Sequence, residues 1–205
     1  MRLLLTAMLG TFVAIAGADA AEPKLPCPSG TRLVQQAREA RCETPDGVAE
    51  GPFTVRNADG TLRYAGTARR GKTHGAWTSW SAAGKVSVEA HYEDGELVGP
   101  FRRFGANGIL QIEGSHDRAG EMDGIWNGYW PNGRLRTQWS MSHGEQQGPV
   151  TTWYESGAKK SEGQRAGGQP DGAWTYFAED GLVTHRCRYD RGRVAEGPCG
   201  QAGPE

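Results

Sequence analysis

A tandem repeat of glycines is the feature that most constrains how this chain folds. The same glycine recurs at intervals of 24, 24, 25, 24, 24 and 25 residues, at Gly51, Gly75, Gly99, Gly124, Gly148, Gly172 and Gly197. A second glycine follows nine residues after each of the first six, at Gly60, Gly84, Gly108, Gly133, Gly157 and Gly181. Self-similarity at a fixed period indicates a row of supersecondary units, each of which contacts mainly its neighbours. We therefore expect one elongated unit.

Each copy has the pattern of a β-hairpin. The second residue after the opening glycine is large in every copy: Phe53, Trp77, Phe101, Trp126, Val150 and Trp174. The fifth is aromatic in five copies and Arg56 in the other: Trp80, Phe104, Tyr129, Trp153 and Phe177. A turn pair such as Asn132-Gly133 follows, and Asn-Gly and Asp-Gly pairs tolerate the positive φ of tight hairpins. Apolar residues then alternate with polar ones, and this period of two predicts a strand.

The composition favours a sheet of one layer. The chain has 205 residues, of which 37 % are apolar and 31 are glycine, so it has little to bury between two layers. We predict an all-β fold, an elongated single-layer antiparallel meander of six β-hairpin repeats with disulfide-bonded terminal caps. The formal net charge of -1 gives no electrostatic basis for binding nucleic acid, which we do not expect as a partner.

Residues 1–20 have the pattern of a secretory signal peptide. Arg2 supplies the positive start, Leu3 to Gly17 is apolar, and Ala18-Asp19-Ala20 is a small-x-small cleavage site. The alternative is an uncleaved membrane anchor, but the apolar run is shorter than the roughly 20 residues of a spanning helix. We predict cleavage after Ala20 and a mature protein that is periplasmic or extracellular.

The glycine period divides the rest of the chain. We predict an N-terminal cap that is a partial repeat (21–50), six repeats (51–74, 75–98, 99–123, 124–147, 148–171 and 172–196) and a C-terminal cap or tail (197–205). Within the first cap, the stretch from Leu33 to Arg41 is expected to hold an insertion with a helical turn. The fifth repeat departs most from the pattern, because its apolar positions are taken by Val150, Lys159, Ser161 and Arg165. We expect the sheet to be weakest or most exposed there.

A reciprocal relation between residue sizes predicts which strands are neighbours. The residue six places after each turn glycine is mostly small, and the large residue that opens the next copy follows it: Gly66 and Trp77, Ala90 and Phe101, Gly114 and Trp126, Gly163 and Trp174. In one copy the order is reversed, as Trp139 precedes Val150. We infer that the two positions face each other across adjacent strands, because close packing leaves no room there for two large side chains.

The same relation indicates how the four cysteines pair. Cys187 and Cys199 occupy the two facing positions at the end of the array, so we predict a disulfide between them. The position expected opposite Cys42 holds Phe53, which leaves Cys27 as its partner. An exported protein favours oxidised cysteines, and each closed loop is worth about 3 kcal/mol in the chain-entropy model. No C-x-x-C spacing indicates a metal site.

Other motifs that carry chemistry are weak in this chain. Residues from Gly66 to Thr73 satisfy the phosphate-loop pattern. A phosphate loop joins a strand to a helix whose N-terminus receives the phosphates, whereas the residues that follow here open the next repeat and are expected to form a strand. The five histidines lack metal-ligand spacing, and no serine stands in a nucleophile elbow. We therefore expect a protein that is not an enzyme, with no catalytic or metal-binding residues, no cofactor and no nucleotide.

The aromatic residues have two possible roles. Most are expected to supply the packing of a sheet that lacks a second layer. Positions two and five of each copy differ by an odd number, so in a regular strand they face opposite sides, although a bulge would place both on one face. We predict an interaction surface at Trp80, Phe104, Tyr129, Trp130, Trp153 and Phe177. A ladder of rings of this kind suits a sugar chain, a peptide or a partner protein.

The repeat resembles the MORN-repeat variant family, which is often labelled as antitoxin proteins of the YwqK type. The segment from Gly124 through Trp126, Tyr129 and Asn132-Gly133 to Leu135 has its pattern, as does Gly172 to Gly181. The resemblance covers residues 51–197 and implies a β-hairpin array with a binding or scaffolding role. Protein or membrane-lipid partners are implied for the wider class, and no catalytic motif is carried over.

Together these observations predict an exported scaffold whose main partner is a protein. A module that binds cell-wall glycan is the alternative from another class, and a lipid surface of the cell envelope is a further candidate. An antitoxin-like inhibitor ranks lower, because an antitoxin of the cytoplasm needs neither an export signal nor bridged caps.

Overall fold

The computed structural model describes residues 25–199, which form one open antiparallel sheet without helices. Every strand pairs with the strands before and after it in the chain, so sequence order is also spatial order. The strands are β1 (Arg32–Gln36), β2 (Glu39–Glu43), β3 (Ala49–Arg56), β4 (Leu62–Arg69), β5 (Lys72–Trp80), β6 (Val86–Glu93), β7 (Glu96–Phe104), β8 (Leu110–His116), β9 (Met122–Tyr129), β10 (Leu135–Ser142), β11 (Glu145–Trp153), β12 (Lys159–Ala166), β13 (Gln169–Phe177), β14 (Val183–Asp190) and β15 (Arg193–Glu196). The predicted all-β meander is confirmed.

Two kinds of turn alternate along the sheet. Within a repeat, a three-residue loop ends in a glycine of positive φ; Gly60, for example, donates its N–H to Asn57 O over 3.1 Å. Between most repeats, a two-residue turn has positive φ at both residues, as at Arg70 (50°) and Gly71 (79°). The junction of repeats three and four differs, because a three-residue loop that ends in Gly120 connects β8 and β9. Turns of these geometries match the right-handed twist of the flanking strands, so the chain reverses without splaying them.

One side of the sheet, which we call the packed face, carries the row that the size relation predicted. Across the strands, Phe53 pairs with Gly66, Gly66 with Trp77, and Trp77 with Ala90. Trp139 pairs with Val150, which is the one reversed case. Each large side chain therefore lies beside a smaller one on at least one adjoining strand, and the predicted neighbours are confirmed. Trp126 and Trp139 also pair with each other, and their rings stack with centroids 6.4 Å apart.

The fit is tightest where tryptophan faces glycine. A Cβ atom added to Gly114 would lie 2.2 Å from Cδ2 of Trp126, and one added to Gly163 would lie 2.1 Å from Cδ2 of Trp174. Both indoles lie directly over the bare backbone, and Trp126 and Trp174 are only 2 % and 0 % exposed. A single layer can thus bury large rings, because each ring is covered by its neighbours in the row and by rings such as Tyr189.

The fifth repeat is better buried than the sequence predicted. Val150 is 4 % exposed and Ser161 is 1 % exposed. The Ser161 hydroxyl forms a hydrogen bond of 2.7 Å with the hydroxyl of Thr152 on the adjoining strand. The polar residue is therefore satisfied inside the packed face, and the expectation that the sheet is most exposed at this repeat is wrong for Val150 and Ser161.

Residues 25–50 of the N-terminal cap form a hairpin without a helical turn, so the helical turn predicted between Leu33 and Arg41 is wrong. Ala37 has a φ of 44°, which permits a two-residue turn between β1 and β2. Arg41 forms ion pairs with Glu39 (2.7 Å) and Glu43 (2.6 Å), two residues away on either side. Residues at that spacing share one face only in a strand. The loop between β2 and β3 has three residues, where the turn between most repeats has two. This difference shifts the register of the two strands, so Arg41 rather than Cys42 pairs with Phe53.

Both predicted disulfides are present. Cys27 is bonded to Cys42, and Cys187 to Cys199, so each end of the sheet is closed covalently. Cys42 and Cys187 are almost fully buried. The predicted signal peptide (1–20), with its cleavage after Ala20, and the end of the C-terminal tail lie outside the described residues. Residues 25–199 contain no helix that is long and apolar enough to span a bilayer.

Candidate functional site

The side opposite the packed face, which we call the polar face, has a row of charged and amide side chains along its middle. Arg102 Nε lies 3.3 Å from Glu113 Oε2, and an Arg102 guanidinium nitrogen lies 3.8 Å from Glu89 Oε2. Gln138 donates to Asn127 over 2.9 Å. Each pair joins adjacent strands, so the row is a cross-strand network of alternating charge that fixes the register of the central strands.

Five of the six predicted surface residues lie on this polar face. Trp80, Phe104, Tyr129, Trp153 and Phe177 each follow by two a residue of the middle row, so strand alternation places them on the same side. All are half-buried. We call these five rings the aromatic stripe. It runs along the edge of the sheet that carries the turns within the repeats, with one ring in each of repeats two to six. Successive rings are about 10 Å apart, which is the width of two strands.

Contacts at two rings support this placement. Tyr129 donates its hydroxyl hydrogen to Glu113 Oε1 over 2.6 Å. Burial of the phenol, and next the bond to the Glu113 carboxylate, raise the pKa of Tyr129 to about 12. Lys159 lies 5.8 Å from the ring centroid of Phe177 while its ammonium pairs with Glu162 at 2.7 Å. The aromatic stripe is therefore flanked by charges of both signs.

Trp130 is not part of the aromatic stripe. It follows Tyr129 directly, so it points towards the packed face, where the Arg136 guanidinium lies 5.7 Å from its ring centroid. Its indole donates to the carbonyl of Trp153 over 3.1 Å, and Tyr154 donates in the same way to the carbonyl of Phe177 over 2.8 Å. These bonds join consecutive repeats. The sequence did not indicate this role, because it depends on which side of the strand the ring leaves.

The segment that matches the phosphate-loop pattern forms part of a hairpin. Gly66 lies on β4 between the rings of Phe53 and Trp77, and Arg70-Gly71 is the turn to β5. Among residues 25–199 no group of three or more histidine, cysteine or acidic side chains is arranged to hold a metal. The histidines are scattered. His116 lies between Phe101 and Trp126, and burial lowers its pKa.

Sequence reasoning missed a cleft on the packed side of repeats three and four. Arg103, Trp130, Arg136 and Trp139 are among the residues that line it. The signal in the sequence was Gly128. The fourth residue after the opening glycine has a side chain in the other five repeats (Val55, Ser79, Arg103, Thr152, Tyr176), and only here is it a glycine.

Comparisons with known proteins agree with the repeat. Residues 73–94 match the family model described as MORN repeat variant, a span that holds most of the β5–β6 hairpin, and this confirms the predicted resemblance. No curated protein matches the chain.

Among solved structures, the chain is similar to two crystal structures of TarM. One is a mutant of the S. aureus protein in complex with Fondaparinux, alpha-GlcNAc-glycerol and UDP, with 8 % identity over 58 % of this chain and 21 % of that chain, at a TM-score of 0.29. The other has 10 % sequence identity and covers 55 % of this chain and 20 % of the TarM chain, at a TM-score of 0.27. This chain spans about a fifth of TarM, and at such TM-scores nothing about its function is inferred from it.

Proposed function

This chain carries the MORN repeat variant, and we propose that it is a non-enzymatic, exported scaffold whose polar face docks a partner protein. The aromatic stripe is the centre of the docking surface. The two disulfides are compatible with an exported protein. Because the chain is divided into six repeats, the docking surface presents a similar set of side chains to the partner protein at every hairpin.

The observation that carries this proposal is the aromatic stripe itself. Five large rings lie on one side of a single-layer sheet, and no second layer covers them among residues 25–199. The packed face needs its rings for burial, as the exposures of Trp126 and Trp174 demonstrate. The rings on the polar face have only partial cover, so they remain available to a ligand. Apolar patches with a polar rim are typical of interaction sites.

The surroundings of the aromatic stripe favour a protein over other partners. Protein interfaces are enriched in aromatic residues and arginine at their centres and carry a polar rim. Beside the rings here, Glu89, Arg102 and Glu113 alternate in sign along the sheet. Alternating charge selects a partner with the complementary pattern and fixes the register of docking. A smooth anionic lipid surface does not match such a row.

The proposal is tested by capture from an envelope extract, with purified peptidoglycan binding measured in parallel. A stripe variant, Phe104→Ser with Phe177→Ser, is expected to lose most of the captured protein. A matched variant with Ala58→Glu and Ala106→Glu, both in exposed turns, is expected to capture as the wild type does. Circular dichroism and thermal melting establish that each variant is folded.

The outcomes also separate the alternatives. If only peptidoglycan retains the wild-type protein, the chain is a glycan-binding module and the protein-docking proposal is wrong. If the captured partner is a toxic enzyme whose activity the chain blocks, the antitoxin-like alternative replaces the scaffold. Retention by anionic vesicles alone identifies the lipid surface. Equal capture by the wild type and the stripe variant removes the aromatic stripe from the proposal.

A further inference from the structure

A cleft of about 390 Å³ opens between repeats three and four, near the turns that end β7 and β9. This volume lies in the range of small-molecule sites, roughly 300–1,000 Å³. Trp130, Arg136 and Trp139 of the cleft belong to the packed side of the sheet, and Tyr129 is the one residue of the aromatic stripe that also lines it.

The cleft exists because Gly128 has no side chain. It lies between Ile112 and Thr137 on the adjoining strands, in a row that the other repeats fill with a side chain. Gly128 is absent from the residues of positive φ, so its backbone does not require glycine. A Cβ added there would lie 3.5 Å from Cζ3 of Trp139, an ordinary contact. Neither backbone conformation nor a close contact explains this glycine, and the space that it leaves becomes the floor of the cleft.

The walls of the cleft are basic. Arg103 and Arg136 both line it, and none of its lining residues is acidic. Within residues 25–199, neither guanidinium takes part in an ion pair or a hydrogen bond, and the only polar contact of Arg136 is with the Trp130 ring. Arg102, the neighbour of Arg103 on the same strand, points to the polar face and is paired with Glu113 there. Two unpaired guanidiniums beside one cleft favour an anion, which each can hold by two parallel hydrogen bonds.

The remaining lining residues suit a sugar ring. Trp139 and Trp130 offer indole surfaces, and Trp130 is held in place by its bond to the carbonyl of Trp153. Gln111 adds an amide that can donate to and accept from hydroxyl groups. Asn107 adds the two donors of its amide nitrogen, while its Oδ1 accepts from the Ile109 N–H over 3.0 Å. Aromatic faces pack against the apolar side of a sugar, while amides and guanidiniums bind its polar edge.

We propose that this cleft binds an anionic sugar, a ring that carries a carboxylate or a phosphate group. Arg103 and Arg136 hold the anionic group, Trp139 packs against the ring, and Asn107 and Gln111 bind hydroxyls. The site is independent of protein docking on the polar face, and either can fail without the other.

Calorimetric titration of the full chain tests the proposal with four probes. Digalacturonate and galactose 1-phosphate carry the two anionic groups, galactobiose is the neutral counterpart of the first, and inorganic phosphate is the anion without the sugar. At least one anionic sugar is expected to bind with quenching of tryptophan fluorescence, and galactobiose is expected to bind at least about tenfold more weakly, because it lacks the charge-assisted bonds.

Three variants locate the site. Gly128→Leu fills the floor, Gly128→Ala fills it partly, and Arg103→Gln with Arg136→Gln removes both charges. Binding is expected to fall in all three, most in the first and last. A control with Arg186→Gln and Arg188→Gln removes the same charge from exposed positions on β14 and is expected to bind as the wild type. None of the cleft variants is expected to change protein capture by the aromatic stripe.

Several results would overturn the proposal. Absence of binding by both anionic sugars does so directly. Equal affinity for galactobiose removes the role of the arginines, and equal affinity for inorganic phosphate removes the role of the sugar ring. Unchanged binding in folded Gly128→Leu, or an equal loss in the Arg186 and Arg188 control, places the ligand elsewhere.

Discussion

Substitution of Gly163 by alanine measures how much the packed face depends on rings over bare backbone. The new Cβ would lie 2.1 Å from Cδ2 and 2.3 Å from Cε2 of Trp174, whereas ordinary contacts begin near 3.4 Å. The indole must therefore retreat by roughly 1 Å, yet it is fully buried beside Tyr176 and Tyr189. Overpacking of this kind costs about 1–3 kcal/mol. We expect a loss near the upper end of that range.

A double-mutant cycle separates this clash from other effects. Replacing Trp174 by valine removes the indole and places there the residue that the fifth repeat has at the same position, Val150. In the Trp174→Val background, Gly163→Ala is expected to cost nothing, because the space that the ring occupied is free. The coupling energy is then about 2–3 kcal/mol, well above the few tenths expected of independent sites.

Urea unfolding followed by tryptophan fluorescence supplies the free energies for the cycle. Gly128→Ala is the matched control, since its Cβ meets nothing closer than 3.5 Å. Neither glycine has positive φ, so both substitutions restrict the unfolded chain by a similar amount, worth about 0.4–1 kcal/mol of stabilisation. If Gly163→Ala costs no more than Gly128→Ala, or if the coupling energy is close to zero, the packing described here is refuted.

Three further predictions concern the C-terminal disulfide, the half-buried His116 and the aromatic stripe. Replacing Cys187 and Cys199 by serine is expected to lower the free energy of unfolding by about 3 kcal/mol in the chain-entropy model, as measured by urea titration; a loss below about 1 kcal/mol would show that the bridge constrains little. His116 has a lowered pKa in the folded state, so the unfolded state binds more protons and stability falls as the pH drops below about 6.5. His116→Phe, which keeps a ring and removes the titration, is expected to lessen the fall in melting temperature from pH 7 to pH 5; an identical fall in both proteins contradicts the assignment. Burial and the hydrogen bond to Glu113 raise the pKa of Tyr129 to about 12, so its ionisation at 295 nm is expected well above pH 10, and the variant Tyr129→Phe should lose that late component. A Tyr129 that titrates near 10 would contradict both its burial and its bond to Glu113.

Much of the fold could be predicted because the repeat states the same pattern six times. A reversed pair, Trp139 before Val150, identified two positions as neighbours without any coordinates. The cysteines Cys187 and Cys199 could be paired for the same reason, since they occupy those two positions. In both cases the same pairing of a large residue with a small one on the adjoining strand recurs along the chain. Because it recurs, the positions that depart from it show which residues face each other.

The failures came where the local sequence does not determine which partner a polar group finds. Ser161 was expected to weaken the fifth repeat, but Thr152 on the adjoining strand satisfies its hydroxyl. The stretch from Leu33 to Arg41 was expected to contain a helical turn, yet Ala37 adopts a positive φ that closes a hairpin. Trp130 was grouped with the aromatic stripe although it leaves the strand on the other side. Each of these depends on a neighbouring strand rather than on the residue itself.

Site-specific photocrosslinking tests the docking face most directly, because two phenylalanines of one strand leave it on opposite sides. A photoreactive phenylalanine analogue is placed at Phe104, in the aromatic stripe, and in a second protein at Phe101, on the packed face beside Trp126. The same partner protein should be crosslinked from Phe104, and from Phe177 three repeats away, but not from Phe101. Crosslinks from Phe101 alone, or equally from Phe101 and Phe104, would contradict docking on the polar face.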